Sequence, residues 1–325
     1  MHIVFCSDRN ALPGMHVAVY SLLDKIQSKG NHTTVHLFSQ DLQEQDLGLL
    51  QNTMQRTGKP FKFFQHRAEA SRLKNFPALC GSRATYFRLL APEIIEAERF
   101  LYVDADTLCD LDVSPLEGVE MGGAAAGLVP EAPIEFSVDL PLLRQLGEGS
   151  KGWYFNAGVL LVQVEEWRSQ RITERCLDYL ARHDAAYHDQ SALNFVLREQ
   201  VFQLDQKFNC RTNARDNWPD LTAPLGATGK LLHFVDYPKP WDLLGEWVHP
   251  HFEFWRQIRD RTALHSYRSY HPRAGRKWLP LGRAFRAYKK AIKDKLLFTG
   301  YAQGWFKRVK GIPDFQADQR AHSAV

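Results

Sequence analysis

The 325-residue chain is poor in cysteine, and its cysteines form no pattern. Cys6, Cys80, Cys109, Cys176 and Cys210 are odd in number and scattered, without a C-x-x-C pair. That spacing argues against a cysteine-built zinc module or a disulfide framework and fits a reducing, cytoplasmic setting. Long apolar runs are missing too. No window reaches the roughly 18 apolar residues that would span a bilayer. The opening Met1-His2-Ile3-Val4-Phe5 enters a strand pattern directly, without the basic leader and apolar stretch of a secretory signal, so none is expected. No segment repeats at a solenoid-like period. The Gly/Ala-rich stretch 122–127 lacks the order of a phosphate loop and reads as a tightly packed strand.

What is present suits a folded α/β enzyme. Hydrophobic residues make up 44% of the chain, enough for a sizeable core. Strands are predicted at 2–7, 33–39, 60–65, 99–103, 153–163 and 230–235, and helices at 14–29, 42–56, 84–97, 164–183 and 187–199. The opening βαβαβ alternation predicts a mainly parallel sheet flanked by helices. Charge is unevenly distributed. Residues 261–310 carry fourteen Lys/Arg against one acid, Asp294, while residues 1–260 are net acidic. The expected division is a catalytic domain over 1–260 and a basic helical region over 261–325. Within the latter, Leu281, Phe285, Tyr288, Ile292 and Leu296 share one face of a predicted basic amphipathic helix, 281–297. A solvated surface helix would look similar. The coincidence of apolar stripe and basic cluster favours docking to an anionic membrane surface, and no nucleic-acid recognition motif accompanies it.

The sharpest chemical feature is Leu101-Tyr102-Val103-Asp104-Ala105-Asp106, an apolar strand running into two carboxylates. Residues i and i+2 of an extended chain share a face, so two hard oxygen donors stand together at a strand's carboxyl end. Ligands bind there in open α/β sheets, and such donors suit Mg²⁺ or Mn²⁺. By itself D-x-D is common in surface turns. His233 ends another apolar strand and offers a nitrogen ligand, which favours Mn²⁺ over Mg²⁺; it would equally serve as a hydrogen-bonded core histidine. Lys239, six residues on, can neutralise a phosphate as a point charge. Asp189-Gln190 opens an apolar helix, either as its cap or as a pair of sugar-binding groups. Asn156, inside an apolar strand, needs a polar partner, and Gly158 beside it permits close backbone approach.

Six segments, in this order, resemble glycosyltransferase family 8: IVFCSDRN (3–10), ATYFRLLAPEII (84–95), RFLYVDADTL (99–108), YFNAGVLLV (154–162), HDQSALN (188–194) and HFVDYPKPW (233–241). The resemblance covers about residues 1–255. It is to the retaining enzymes that include bacterial lipopolysaccharide galactosyl- and glucosyltransferases, and it implies a GT-A nucleotide-sugar transferase fold. By motif, it implies that Asp104, Asp106 and His233 bind Mn²⁺, with Mg²⁺ as the alternative. Asp8 and Asn10 would meet the uridine and ribose end of a UDP-galactose or UDP-glucose donor, and Arg88 the donor sugar or diphosphate. Ala105 falls in the donor site between the acids. Asn156, Asp189 and Gln190 would surround the hexose, with Gln190 near the anomeric carbon, and Lys239 would hold the leaving diphosphate. Gln190 is a poor nucleophile, which favours same-face internal return over a covalent intermediate, with Asp189 as the carboxylate alternative. The implied acceptor is a saccharide or glycolipid such as a lipopolysaccharide core, met at the cytoplasmic membrane face. The chain departs from the family pattern at Asp236, where glycine is usual, at Ala11 and at Ser191. Asp236 motivates a rival reading as a catalytically weak UDP-sugar-binding protein, and the paired acids with a histidine another as a metal-dependent nucleotide phosphohydrolase.

Overall fold

A computed structural model of the protein describes residues 1–27, 33–67, 70–78, 82–149, 151–214, 228–236, 238–242 and 245–265, with Asp216 and Lys289 standing alone. The expected basic helix 281–297 lies outside the described residues apart from Lys289. The described residues fall into two compact units. The larger takes in residues up to 212 with 228–235 and 254–265, and the second holds 213–214, 216, 236, 238–242, 245–253 and 289.

The N-terminal alternation folds as expected. Strand β1 (His2–Cys6), helix α1 (Leu12–Lys25), β2 (Thr33–Phe38), α2 (Glu44–Gln55) and β3 (Phe61–His66) follow in order. Pro13 suits the first turn of α1, where its missing N–H costs nothing, and a Gln43/Asp46 capping box opens α2. A 3₁₀ turn, Ala84–Tyr86, leads into α3 (Phe87–Ile94), so the helix expected over 84–97 is shorter. Then come β4 (Arg99–Val103), β5 (Thr107–Cys109), β6 (Ala126–Pro133), α4 (Leu140–Gln145) and β7 (Trp153–Gln163). Gly122 and Gly123 take positive φ (59° and 84°) in a turn, so the strand expected at 122–127 begins only at Ala126. The helix expected over 164–183 is two helices, α5 (Val164–Ser169) and α6 (Ile172–Arg182), broken where Arg171 turns left-handed at φ 54°. The remaining elements are α7 (Asp189–Leu197), β8 (Val201–Gln203), β9 (Cys210–Thr212), β10 (Leu231–Phe234), α8 (Gly245–Val248) and α9 (Phe252–Arg259).

The main sheet has seven strands in the order β3-β2-β1-β4-β7-β6-β8. β3, β2, β1 and β4 are mutually parallel, whereas β7 runs antiparallel to both β4 and β6. The central strands β1, β2, β4 and β7 are covered on both faces and read as mostly apolar runs, whereas the edge strand β3 alternates and leaves Phe64 exposed. Ile3, Phe5, Val35, Leu37 and Leu101 belong to one buried cluster with apolar residues of α1 and α2. Val4, Phe38, Tyr102 and Leu160 belong to another with residues of α3, α6 and α7. The chain leaves β1 toward β2 and β3, then returns to place β4 on β1's other side. The carboxyl ends of β1 and β4 therefore flank a topological switch point, where open α/β sheets leave a crevice for ligands.

Two buried histidines make this body acid-sensitive. His16 of α1 lies with Nδ1 2.6 Å from Thr53 Oγ1 of α2, and burial, partly opposed by Asp46, brings its pKa down to about 3. His36 is stacked between His2 and His66 with N···N distances of 3.0 and 2.9 Å, and burial, then those two imidazoles, lower its pKa to about 4. The unfolded chain takes up these protons near the ordinary imidazole value of about 6.5, and the folded chain does not. Stability is thus full above that value and falls as the pH drops from it toward 4. Replacing His36 by Phe, which preserves stacking with Phe64 and cannot titrate, is expected to make this slope shallower by on the order of 2 kcal/mol across the range. Urea midpoints over a pH series measure it, and an unchanged slope would contradict the assignment.

Candidate active site

Asp104 and Asp106 sit in the turn between β4 and β5. Asp104 N–H donates to Gly158 O at 2.8 Å, and Thr107 Oγ1 donates to Asp104 O at 3.0 Å, so the turn is tied at both sides. β5 then pairs antiparallel with β10, setting His233 opposite Thr107, and Phe234 N–H donates to Asp106 O at 2.9 Å. This pairing brings the histidine to the acids. His233 Nε2 lies 3.3 Å from Asp106 Oδ1 and 3.6 Å from Asp104 Oδ2. One ligand atom from each of the three residues falls within 4.8 Å of the others.

The cluster suits a divalent cation on chemical grounds. Burial raises the pKa of Asp104; Arg88 opposes this, Asp106 adds to it, and His233 opposes it. A cation among such groups would offset both the desolvation and the like-charge repulsion. Two carboxylates with one imidazole form a mixed hard and borderline donor set.

Gly158 fixes how close the imidazole can come. A Cβ there would lie 2.2 Å from His233 Cε1 and 2.5 Å from His233 Nδ1. The close approach read from the Asn-Ala-Gly segment is therefore between β7 and His233.

Arg88 stands behind Asp104, buried to 7% exposure. Its guanidinium reaches Asp104 Oδ1 at 3.0 Å, Asp189 Oδ2 at 2.9 Å, Thr85 Oγ1 at 2.7 Å and Thr85 O at 3.0 Å, and it also donates to Ala157 O. Burial works against the charge of Arg88, but Asp104, Tyr102 and Asp189 outweigh it and hold its pKa above the ordinary value. Tyr102 donates its hydroxyl to Asp104, and its ring lies under the guanidinium at 4.6 Å.

Asp189 is the first residue of α7 and is buried. Its carboxylate accepts from Thr85 Oγ1 at 2.9 Å and pairs with Arg88, so it braces the guanidinium instead of capping the helix. Gln190 Oε1 accepts from Ala157 N–H at 3.0 Å and from Asn156 Nδ2 at 3.2 Å. One turn later Asn194 clamps α7 to β7, accepting from Phe155 N–H at 2.7 Å and donating to Phe155 O at 2.8 Å. Asp8 and Asn10 stand beyond the carboxyl end of β1. There Asp8 Oδ1 accepts from the N–H groups of Asn10 and Ala11 at 2.9 and 3.1 Å, and Asn10 Nδ2 donates to Asp8 Oδ2 at 2.7 Å. Ala105 is buried in the core, its backbone lying between the two acids. Lys239 belongs to the second unit, where its N–H donates to Asp242 Oδ2 at 2.6 Å.

The sequence reading missed Glu131, Asn209, Thr85 and Tyr102. Glu131 sits at an irregularity in the β6–β7 pairing, between Pro130 and Ala132, and its Oε2 accepts from Asn156 Nδ2 at 3.3 Å while the same carboxylate pairs with Arg211. A proline followed by an acid inside an apolar strand was the available signal, because proline within sheets is confined to edges and bulges.

A mainly parallel sheet with paired carboxylates after β4, an imidazole from β10 and a buried arginine from α3 suits an enzyme acting on a phosphate-bearing substrate with a divalent cation. Residues 2–245 match glycosyl transferase family 8, and the chain belongs to that family of glycosyltransferases. Such enzymes act on a sugar donor and an acceptor, with a divalent metal. Among curated proteins, general stress protein A of Bacillus subtilis (strain 168) is 26% identical over 74% of this chain and 87% of its own length. The lipopolysaccharide 1,2-glucosyltransferase of Escherichia coli (strain K12) is 28% identical over 54% of each chain. Among solved structures, the galactosyltransferase LgtC in complex with donor and acceptor sugar analogues aligns with a TM-score of 0.65 at 21% identity, covering 84% of this chain and 98% of that one.

Gly158→Ala is expected to displace His233 and weaken divalent-cation binding by about 10–100-fold, with an overpacking cost of about 1–3 kcal/mol. Calorimetric titration with Mn²⁺ and a thermal melt check both. Wild-type affinity in the variant would contradict the close contact.

Proposed function

We propose that the protein is a retaining hexosyltransferase. It moves galactose or glucose from a UDP-sugar to a saccharide or glycolipid acceptor such as a lipopolysaccharide core, with Mn²⁺, or Mg²⁺ in its place, held by Asp104, Asp106 and His233. The observation that carries this is the convergence of His233 Nε2 on both acids, at 3.3 and 3.6 Å. The imidazole in that set favours Mn²⁺. A bound divalent cation supplies charge neutralisation for a diphosphate leaving group. The chain's own groups divide the remaining work. Arg88 fixes Asp104 and is assigned by motif to the donor sugar or diphosphate, Asp8 and Asn10 take the uridine and ribose end, and Lys239 takes the leaving diphosphate. Asn156, Glu131 and Gln190 form the polar wall around the hexose. Asp189 is engaged with Arg88 and Thr85, and Gln190 is an amide, which supports same-face internal return over a covalent intermediate. The sugar named for the Escherichia coli relative is glucose and that of the structural neighbour is galactose, so the proposal spans both.

A panel of UDP-sugars with Mn²⁺, with and without oligosaccharide acceptors, tests this reading. Acceptor-dependent UDP release is expected, and Asp106→Asn should lower kcat/KM by at least about 100-fold. Acceptor-independent phosphate release would favour the hydrolase reading, and UDP binding without turnover the weak-binder reading.

Membrane docking through residues 281–297 rests on the sequence pattern alone. No helix among the described residues is long and apolar enough to cross a membrane. Deleting residues 281–325 is expected to leave donor hydrolysis largely intact while releasing the protein from anionic vesicles in a flotation assay. Unchanged vesicle binding would refute that role.

A further inference from the structure

Asn209 precedes β9 and is 2% exposed. Its Oδ1 lies 2.9 Å from His233 Nδ1, and its Nδ2 lies 2.8 Å from Asn156 Oδ1. The protonation pattern of this chain can be worked out from groups that cannot reverse. Gly158 N–H, a backbone donor, points at Asn156 Oδ1 at 2.9 Å. Ala157 N–H points at Gln190 Oε1 at 3.0 Å. The Glu131 carboxylate, which only accepts when ionised, meets Asn156 Nδ2 at 3.3 Å. These three fix the Asn156 amide with oxygen toward Gly158 and nitrogen toward Gln190 and Glu131. The Asn156 oxygen in turn requires a donor from Asn209, because a flipped Asn209 would set two amide oxygens 2.8 Å apart. Asn209 must therefore present its oxygen to His233, and His233 Nδ1 must carry a proton.

From this we infer that Asn209 is a positioning residue that sets the His233 tautomer, transmitting to it a polarity fixed by the β7 backbone. The neutral imidazole then carries its lone pair on Nε2, the nitrogen that faces Asp104 and Asp106. The opposite tautomer would point an N–H into the cluster and compete with a cation. The inference deepens the metal reading above and rests on it for its purpose, but the relay itself is a property of the chain alone. It also ties the metal-facing histidine to Gln190 through two buried amides, so cluster and sugar wall share one hydrogen-bond polarity.

The first test needs no metal. Nitrogen NMR of the histidine side chains in the full chain, metal-free and under alkaline conditions, with His233 assigned through His233→Gln, should give a protonated Nδ1 and a bare Nε2. A neutral Nε2–H form in the wild type overturns the inference. Asn209→Leu should then yield a tautomer mixture and raise the Mn²⁺ dissociation constant by about 10–100-fold. Asn209→Asp keeps an acceptor for Nδ1–H but sets a second oxygen against Asn156 Oδ1, so it should retain the tautomer and lose less Mn²⁺ affinity than Asn209→Leu. A folded Asn209→Leu protein with wild-type tautomer and affinity also overturns it. Wild-type protein with Nδ1–H that fails to bind Mn²⁺ would defeat the metal reading and leave the relay standing, so the two failures are distinguishable.

Discussion

The site depends on one guanidinium shared between two carboxylates. Arg88 lies between Asp104 and Asp189, at 3.0 and 2.9 Å. Without it, the half-buried D-x-D acid would lose a partner and the buried acid that opens α7 would be a charge with too few partners, which is strongly unfavourable in a low-dielectric interior. A lysine could not substitute in kind. The planar fork of arginine reaches Thr85, Ala157, Asp104 and Asp189 at once, whereas an ammonium is a compact point charge. Segments that look independent in the sequence, the start of α3, the end of β4, the middle of β7 and the start of α7, are thus one electrostatic unit.

Much of this was legible beforehand for a simple reason. A central strand covered on both faces is mostly apolar, so residues 100–103 announce themselves, and the polar residues that follow mark the sheet's functional edge. The βαβαβ opening was readable on the same ground. What was hidden has physical causes as well. β5, β8 and β9 are three residues each, too short for any period to emerge, yet β5 is what brings His233 to Asp106. Asn209 and Glu131 act through long-range hydrogen bonds that leave no local pattern. The start of the Gly/Ala run misled because Gly122 and Gly123 serve a turn, and α5 and α6 read as one helix because Arg171 adopts a left-handed conformation that nothing in its type suggests.

The departures from the family pattern also take on a physical meaning. Asp236 has φ 61°, in the left-handed region where glycine is free of strain and aspartate is among the side chains that tolerate it best. The position therefore keeps the backbone conformation that the expected glycine would take, while presenting a carboxylate. Ser191 accepts Tyr187 N–H at 2.9 Å through its Oγ. That bond closes the loop that delivers Asp189 and Gln190.

That loop contains the most unusual backbone near the site. His188 takes φ 50° and ψ −116°, sparsely populated for a residue with a side chain. Such a conformation persists only where the surroundings over-determine it. Here they do. Gln190 N–H donates to Tyr187 O at 3.0 Å, Ala192 N–H to His188 O at 3.0 Å, and Asp189 and Asn194 anchor the helix that follows. The strain buys an abrupt entry into α7, so that Asp189 points back to Arg88 while the next residue meets Asn156. Adjacent helical residues differ by about 100° in direction, and a gradual entry would not serve both targets. The polar wall is held by strands and a helix start, elements stiff enough to keep its amides oriented before any ligand arrives.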